Sequence, residues 1–448
     1  MRRSETATYL VESYLIKRHD PRWAACDEAA WFSKNIYNCA NYIMRQAYFA
    51  DRKEFRQTGE WGDTQKQLSY KVLYKAVRKQ YRQDYYALPK RVANETVKQV
   101  VRDWQSYTAS HIDYQQNPHK YQGRPQLPRY KNTTRGRNML KYEKEAVSRN
   151  PNILGKGIIK LSKLALEIEI GQVLDRIREV ENLDDDTVIS LYDYLVEVRI
   201  VPQSNCYKVE LVYKVEPKRS KDLPELNPDW IAGIDLGVNN LAAITSNKLG
   251  FRPILVNGRP LKDTNQFYNK RLAQLKSQLP SNKRSSHRIH RLTQKRNRRV
   301  DDYLHIVSKQ IIDHLSKNGI GTLVIGKNDG WKTDVTMGRR NNQNFVQIPH
   351  ARFIDMLTYK AHLVGIEVLT TEESYTSKCS FLDNEALEKH ENYVGKRIKR
   401  GLFRASDGQI INADINGSAN IIRKVVPNAF ADGIEGIAVR PLRVTPHK

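Results

Sequence analysis

No apolar run in the sequence approaches the about 18 residues that a bilayer-spanning helix needs, and the first residues, Met1-Arg2-Arg3-Ser4-Glu5-Thr6, lack the apolar core of a secretory signal. Lipidation signals are missing as well. A membrane partner is therefore not expected, and a cytoplasmic location is. Cysteine is scarce: Cys26, Cys39, Cys206 and Cys379 lie far apart, with no C-x-x-C pair. That dispersal argues against a disulfide framework and against a thiolate zinc site, and leaves reduced thiols. Acidic residues are outnumbered, 49 Asp and Glu against 75 Lys and Arg, for a formal net charge of +26. The cations are spread along the whole chain, which suits long grooves that follow a polyanion backbone.

What is present is enough apolar residue, 40% of 448, for two or three domains with sizeable cores. Residues 5–16 alternate as a first strand does. From residue 27 to about 110 the pattern is helical, with Ala93, Val97, Val100, Val101 and Trp104 on one face and Lys90, Arg91, Lys98 and Arg102 left for others. Tyr74, Arg78, Lys79, Tyr81, Arg82, Tyr85 and Tyr86 interleave rings and cations. Such mixing suits base stacking beside phosphate contacts, and equally a solvated face whose tyrosines plug the core. Two prolines in Gly123-Arg124-Pro125-Gln126-Leu127-Pro128-Arg129-Tyr130-Lys131 end the helical region. Beyond them the period is two, at 158–170 and in a hairpin of 196–201 with 207–215 across Pro202-Gln203-Ser204-Asn205. With the N-terminal strand these predict a small β-barrel or sheet, and 217–228 is a polar linker after it.

Trp230-Ile231-Ala232-Gly233-Ile234-Asp235-Leu236-Gly237-Val238-Asn239-Asn240 is an apolar run ending in one carboxylate and a glycine turn, and 241–244 is apolar again. The two predict strands in a tight hairpin, with Gly237 and the asparagines at positive φ. Asp235 then ends a buried strand, where an unpaired carboxylate is costly; it caps the hairpin or meets a cation. A second aspartate in small-residue, apolar surroundings, within Asn412-Ala413-Asp414-Ile415-Asn416-Gly417-Ser418-Ala419-Asn420-Ile421, points to one shared metal site. Between them come a third strand at 253–256 and a basic helical region at 263–299. That region ends in Lys295-Arg296-Asn297-Arg298-Arg299, dense enough in cations to lie along phosphates. Leu304, Val307, Ile311, Ile312 and Leu315 follow at helical spacing. Thr322-Leu323-Val324-Ile325-Gly326 and Ile366-Glu367-Val368-Leu369-Thr370 are buried strands, with Pro349 starting a helix between them. Three hairpin strands, then alternating helix and strand, describe an α/β layered sheet.

Four segments, Gly233-Ile234-Asp235-Leu236-Gly237-Val238-Asn239-Asn240-Leu241-Ala242, Asn344-Phe345-Val346-Gln347-Ile348-Pro349, Tyr375-Thr376-Ser377-Lys378-Cys379-Ser380 and the run around Asp414, resemble the TnpB family. The resemblance covers about residues 120–425 and is specific in its second half. It implies a multi-domain α+β and α/β protein: a β-barrel wedge domain of 1–26 and 121–220 with an inserted helical domain at 27–120, then an RNase H-like (RuvC) nuclease domain of 221–374 and 411–425. A small target nucleic-acid-binding insertion at 375–410 and a tail at 426–448 complete it. The implied activity is RNA-guided DNA cleavage, related to type V CRISPR effectors, with guide RNA and double-stranded DNA as partners and the protein a monomer on its RNA. Tyr81, Arg82, Arg124, Arg129, Tyr130, Lys131, Arg296 and Arg298 are the candidate nucleic-acid contacts.

The family's two RuvC aspartates fall on Asp235 and Asp414. Its third carboxylate, a glutamate closing the strand that here reads Leu323-Val324-Ile325-Gly326-Lys327-Asn328, is replaced by Gly326. In an RNase H-like sheet the strands ending near Asp235, Gly326 and Thr371 run parallel with neighbours about 4.8 Å apart, so a glutamate one strand further out can reach the same metals. Relatives with a relocated glutamate before the Thr-Ser box look similar, so the resemblance gives Glu373 the ligand role, with Glu372 as the alternative and two exposed loop acids as the plain reading. Oxygen ligands with open water sites favour Mg²⁺ or Mn²⁺ over zinc, with Asn416 and Ser418 as supporting donors. The insertion resembles a four-cysteine zinc ribbon in which only Cys379 is left, so no zinc is expected there, while Lys396, Arg397, Lys399, Arg400 and Arg404 still suit nucleic acid. Gly326 also keeps open a nuclease-dead, RNA-guided DNA-binding repressor, and the three carboxylates a strand-transferring transposase.

Overall fold

Side chains of Thr8–Lys17 alternate between buried and exposed, which makes it a half-buried strand, β1, with Leu10 and Ile16 inward. The computed structural model describes residues 7–63, 68–150, 157–220, 222–327, 347–399, 401–431 and 441–446. Contacts divide the chain into two units, one of Tyr9–Glu179 with Leu183–Val215, the other chiefly Glu216–Lys448. In the first, β1 is followed by helices α1 (Trp23–Thr58), α2 (Tyr70–Gln80), α3 (Arg82–Ala87) and α4 (Lys90–Gln116). The stripe of α1 that includes Cys26, Ala30, Ile36, Tyr37, Ala40 and Met44 is buried. On α4 the predicted face is buried at Ala93, Val97, Val100 and Trp104, with Val101 half-buried. α1 stops at Gly59, whose φ of 81° only glycine adopts cheaply.

Then come β2 (Leu140–Glu143), β3 (Ile158–Lys160), β4 (Glu167–Glu169), α5 (Gly171–Glu181), α6 (Leu191–Tyr194), β5 (Leu195–Pro202) and β6 (Cys206–Val215). β5 and β6 are the expected hairpin, with Pro202 opposite Tyr207. The sheet order is β1-β6-β5-β2, so the helices α1–α4 lie in sequence between its two edge strands. The expected barrel is, among the described residues, this open row of four strands. Residues 158–170 do not join it: β3 and β4 are three residues each and direct their ladder at one another, Ile159 opposite Ile168.

The second unit holds β7 (Asn227–Leu236), β8 (Asn240–Ser246), β9 (Ile254–Asn257), α7 (Arg259–Ser277), α8 (His287–Lys317), β10 (Ile320–Gly326), α9 (His350–Leu363), β11 (Glu367–Thr371), β12 (Lys396–Lys399), β13 (Leu402–Arg404), β14 (Ile410–Asn412), α10 (Ala413–Val425) and β15 (Leu442–Val444). Among the described residues six strands form one sheet in the order β11-β10-β7-β8-β9-β15. β7, β8 and β9 are antiparallel neighbours, whereas β7, β10 and β11 run parallel. The apolar runs of β7 and β10 fit strands covered on both faces. Ile234, Leu323 and Ile325 pack with Leu304, Val307 and Ile311 of α8 and Phe353 of α9. Ile231 and Val324, of opposite parity, pack with Ile421 and Ile422 of α10. Parity therefore assigns Asp235 and Gly326 to the face that α10 covers.

Three expectations change here. The hairpin turn takes no positive φ at Gly237, Asn239 or Asn240; glycine is needed at 237 because a Cβ would lie 2.6 Å from Asn240 O. The basic region breaks between Ser277 and His287, so the cations of 287–299 and the apolar face from Leu304 to Leu315 belong to one helix, α8. In the tail, Leu442–Val444 pairs with β9 as a sixth strand. Asn328, Asn344, Phe345, Val346 and Arg400 lie outside the described residues.

Candidate functional site

The carboxyl ends of β7, β10 and β11 share one edge, and α10 crosses it. Asn412 caps that helix, its side chain accepting from the Asp414 and Ile415 amides at 3.0 and 3.2 Å, which fixes Asp414 in the first turn. Ser418 Oγ donates to Gly233 O at 2.7 Å and accepts from Thr245 N at 3.1 Å, pinning α10 onto β7 and β8. At Gly417 a Cβ would lie 2.9 Å from Asp235 Oδ2, so the missing side chain lets the helix reach that carboxyl.

β11 brings the third acid. Thr371 is the register partner of Gly326, and Lys327 N extends the ladder to Thr371 O at 2.8 Å. Two residues later the Glu373 side chain turns back over Gly326: a Cβ on residue 326 would lie 2.7 Å from Glu373 Cγ and 2.7 Å from Ile421 Cδ1. Glu373 thus fills the space that a side chain at 326 would take. Thr376 holds Glu373 O through its hydroxyl at 2.8 Å, and Lys424 Nζ holds the Ser374 hydroxyl at 2.7 Å. Glu372 points elsewhere; it is exposed, with Lys424 Nζ at 3.6 Å.

The electrostatics follow from crowding. Burial, then the charges of Glu373 and Asp414, push the Asp235 carboxyl well above the usual range, against the pull of Arg397. Burial pushes the Glu373 carboxyl up to about 7, with Lys424 opposing. Asp414 is held from two sides: Asn240 Nδ2 donates to its Oδ2 at 2.6 Å, and the half-exposed Arg397 guanidinium is 3.4 Å from its Oδ1. The sequence marked Asn240 only as a turn residue and gave Gly417, Lys424 and Asn420 no role; no local pattern ties them to the acids, since Asn240 and Asp414 are 174 positions apart. Asn416 and Ser418, expected to support the carboxylates, hold backbone instead. Asn416 Nδ2 donates to Cys379 O at 2.9 Å, and Asn420 Nδ2 to Thr376 O at 3.0 Å, stapling the 375–380 box to α10.

Three carboxyls with oxygen donors only, Asp235 driven toward the protonated form by burial and by the other two acids and Glu373 by burial, are a donor set that suits a hard divalent cation. Asp235, Glu373 and Asp414 are the residues that could hold it. As the side chains stand, no group of three His, Cys, Asp or Glu among the described residues is gathered closely enough to ligate one ion.

In the insertion Cys379 is buried, its Sγ 3.7 Å from Glu388 O. The loops around it are tied by a carboxylate: buried Glu385 accepts from Ser380 N at 2.6 Å and Val394 N at 2.8 Å. Phe381 and Phe403 pack with Ile415 and Ala419 of α10.

The candidate nucleic-acid contacts divide. Arg82, Arg124, Arg129, Tyr130 and Arg298 are exposed, while Tyr81 and Lys131 are half-buried. Arg82 lies 5.6 Å over the ring of exposed Tyr86, whereas neighbouring Tyr85 is fully buried with its hydroxyl on Asn94. Arg296 faces inward, its Nε donating to Asn265 Oδ1 at 2.7 Å and its Nη2 to Gln347 O at 2.7 Å. Its donors are spent joining α7, α8 and the start of α9.

Residues 210–332 match a family model described as a probable transposase, and 350–421 one described as the Cas12f1-like TNB domain. The TnpB-like protein ORF457 of Acidianus two-tailed virus is 22% identical over 257 residues, 55% of this chain and 52% of that protein. The chain thus spans about half the length of that curated relative. In fold it is similar to the cryo-EM structure of the Cas12f1-sgRNA-target DNA complex, with TM-score 0.50 and 17% identity over 88% of this chain and 82% of that one. No described helix is long and apolar enough to cross a membrane. By these matches residues 210–332 and 350–421 are similar to the transposase and Cas12f1-like families, and the chain is similar to a TnpB-like protein.

Proposed function

We propose that the chain is an RNA-guided DNA endonuclease whose catalytic acids are Asp235, Glu373 and Asp414. The observation that carries this reading is Glu373 seated in the side-chain space of Gly326, on the sheet face that also bears Asp235 and that α10 covers. An antiparallel meander continued by two parallel strands supports an RNase H-like domain. Two bound Mg²⁺ or Mn²⁺ ions would supply an activated water and stabilise the leaving oxygen of the phosphodiester. The protein's own share is orientation: Asn240 and Arg397 hold Asp414, the Ser418 clamp holds α10 against Asp235, and Thr376 and Lys424 hold the turn that presents Glu373. Guide RNA and target DNA are the partners, and a surplus of 75 cations over 49 acids matches a protein that contributes charge and shape while base pairing reads sequence.

A second reading, a guided DNA binder that does not cut, is favoured by one observation: the three acids are not gathered to ligate one ion as they stand. Incubating RNA-bound protein with matched DNA and Mg²⁺ separates the readings. Cleavage that Glu373→Ala abolishes supports the nuclease. Tight binding without a cut supports the binder, and joined products support strand transfer.

A further inference from the structure

The first unit contains a cavity of about 410 Å³ between α1, α4 and the extended segment after Gly123. It is built rather than incidental. Asn38 exchanges two hydrogen bonds with the Lys131 backbone, at 2.8 and 3.0 Å, and Asn41 Nδ2 donates to Pro128 O at 3.0 Å, so the segment is laddered onto α1. Trp104 Nε1 fixes Asn41 in turn at 2.9 Å. Into the cavity face Tyr37 from α1 and Asp103, Ser106 and Tyr107 from α4, with Arg129 and Lys131 from the segment. The Tyr37 hydroxyl donates to Asp103 Oδ2 at 2.7 Å and so fixes the carboxylate in the cavity wall. Lys131 Nζ is 4.7 Å from the Tyr37 ring centroid.

We infer that this cleft receives one unpaired nucleotide of a bound strand and reads guanine through Asp103, an inference that rests on the nucleic-acid reading above. A carboxylate is an acceptor with two parallel oxygens. Among the nucleobases only guanine presents two adjacent N–H donors, N1–H and the 2-amino group; cytosine and adenine offer an amino group beside a ring acceptor, and uracil a lone N–H between two carbonyls. The Tyr107 ring supplies a stacking surface, and Arg129 and Lys131 supply cations for the nucleotide's phosphate. RNA and displaced DNA share this chemistry.

The test uses the full chain and fluorescein-labelled short oligo-uridine and oligo-thymidine strands carrying one central guanine, adenine, cytosine or hypoxanthine, with affinity read by anisotropy at fixed salt. The expected result is about tenfold tighter binding of guanine than of adenine or cytosine, with hypoxanthine, which lacks the 2-amino group, in between. Tighter binding in the uridine series identifies RNA as the source, and in the thymidine series DNA. Asp103→Asn removes the preference, so that the strand carrying guanine binds no more tightly than those carrying adenine or cytosine. Ser106→Trp, at an exposed position on α4, does the same by filling the cleft, and it decides the matter should Asp103→Asn not fold. Equal affinity for all central bases, or a preference that survives both substitutions, overturns the pocket while the nucleic-acid reading stands. Binding to no strand at all overturns both.

Discussion

Thr371 of β11 stands opposite Gly326 in parallel register, and two residues on the Glu373 side chain lies back across that glycine, so residues 326 and 373 compete for one volume. Glycine is what permits a carboxyl to be delivered from the neighbouring strand. A Cβ at 326 would also press on Ile421 Cδ1, at 2.7 Å, on the core side of α10.

Gly326→Ala is therefore expected to displace Glu373 and lower Mg²⁺-dependent cleavage of matched DNA. Gly326→Glu combined with Glu373→Ala should recover part of it, by supplying the carboxyl from β10 in the space just cleared. A double variant no better than Glu373→Ala alone would show that the two positions are not interchangeable.

Glu373 and Glu372 differ sharply in surroundings. Glu373→Ala should cost at least about a hundredfold in single-turnover cleavage, as loss of a group acting in the transition state does. Glu372→Ala should stay within about threefold, because its contact with Lys424 is a surface ion pair. The reverse order would exchange their roles.

Burial raises the Glu373 carboxyl from 4.5 to about 7, and Asp235 shifts in the same direction. Across that window the folded chain keeps a proton that the unfolded chain has released, so stability falls as pH rises from about 4.5 to about 7, by roughly 3 kcal/mol for Glu373. Below the window both states are protonated and the penalty vanishes. A divalent cation selects the deprotonated set, so the rise in Tm on adding MgCl₂ should be larger at about pH 8 than at about pH 5, and Glu373→Gln should flatten both the pH slope and the metal response. Equal Mg²⁺ shifts at the two pH values in calorimetry would count against a cation at these acids.

Arg296 and Arg298 are two positions apart and should behave oppositely. Arg296→Ala removes the hydrogen bonds to Asn265 and Gln347 O and is expected to lower stability by about 1–3 kcal/mol. Arg298→Ala, at an exposed site, should leave Tm unchanged and reduce the salt dependence of nucleic-acid binding by about one counterion.

Glu385 is expected to do in the insertion what a metal does in a zinc ribbon. Glu385→Ala leaves the Ser380 and Val394 amides without their acceptor, which should speed their hydrogen exchange and cost about 1–3 kcal/mol locally. A zinc chelator should leave the thermal transition of the parent chain unmoved. A chelator-induced drop in Tm would mean that a metal holds these loops.

Strand alternation and helical spacing made much of the architecture legible: the β5–β6 hairpin, the buried face of α4 and the continuous apolar runs of β7 and β10 are where the periodicity put them. Local pattern did not show that 158–170 pairs with itself, or that Leu442–Val444 completes the sheet at β9, because strand partners are chosen by shape and by free edges far away in the chain. Nor could it separate Arg296 from Arg298: both are cations in one basic run, and only the packing of α7 against α8 turns one inward.

By itself the sequence determined the kinds of group available: two aspartates in apolar, small-residue settings, a glycine closing a buried strand, two glutamates after the next strand, and a large excess of cations. The tertiary structure decided which groups meet. Parallel register brings residue 371 opposite 326, the glycine leaves a volume that one glutamate fills while the other faces solvent, and α10 carries Asp414 to the same sheet face. Side-chain types are written in order along the chain, but occupancy of a space is exclusive, and which of two neighbours takes it is settled only when the strands are packed.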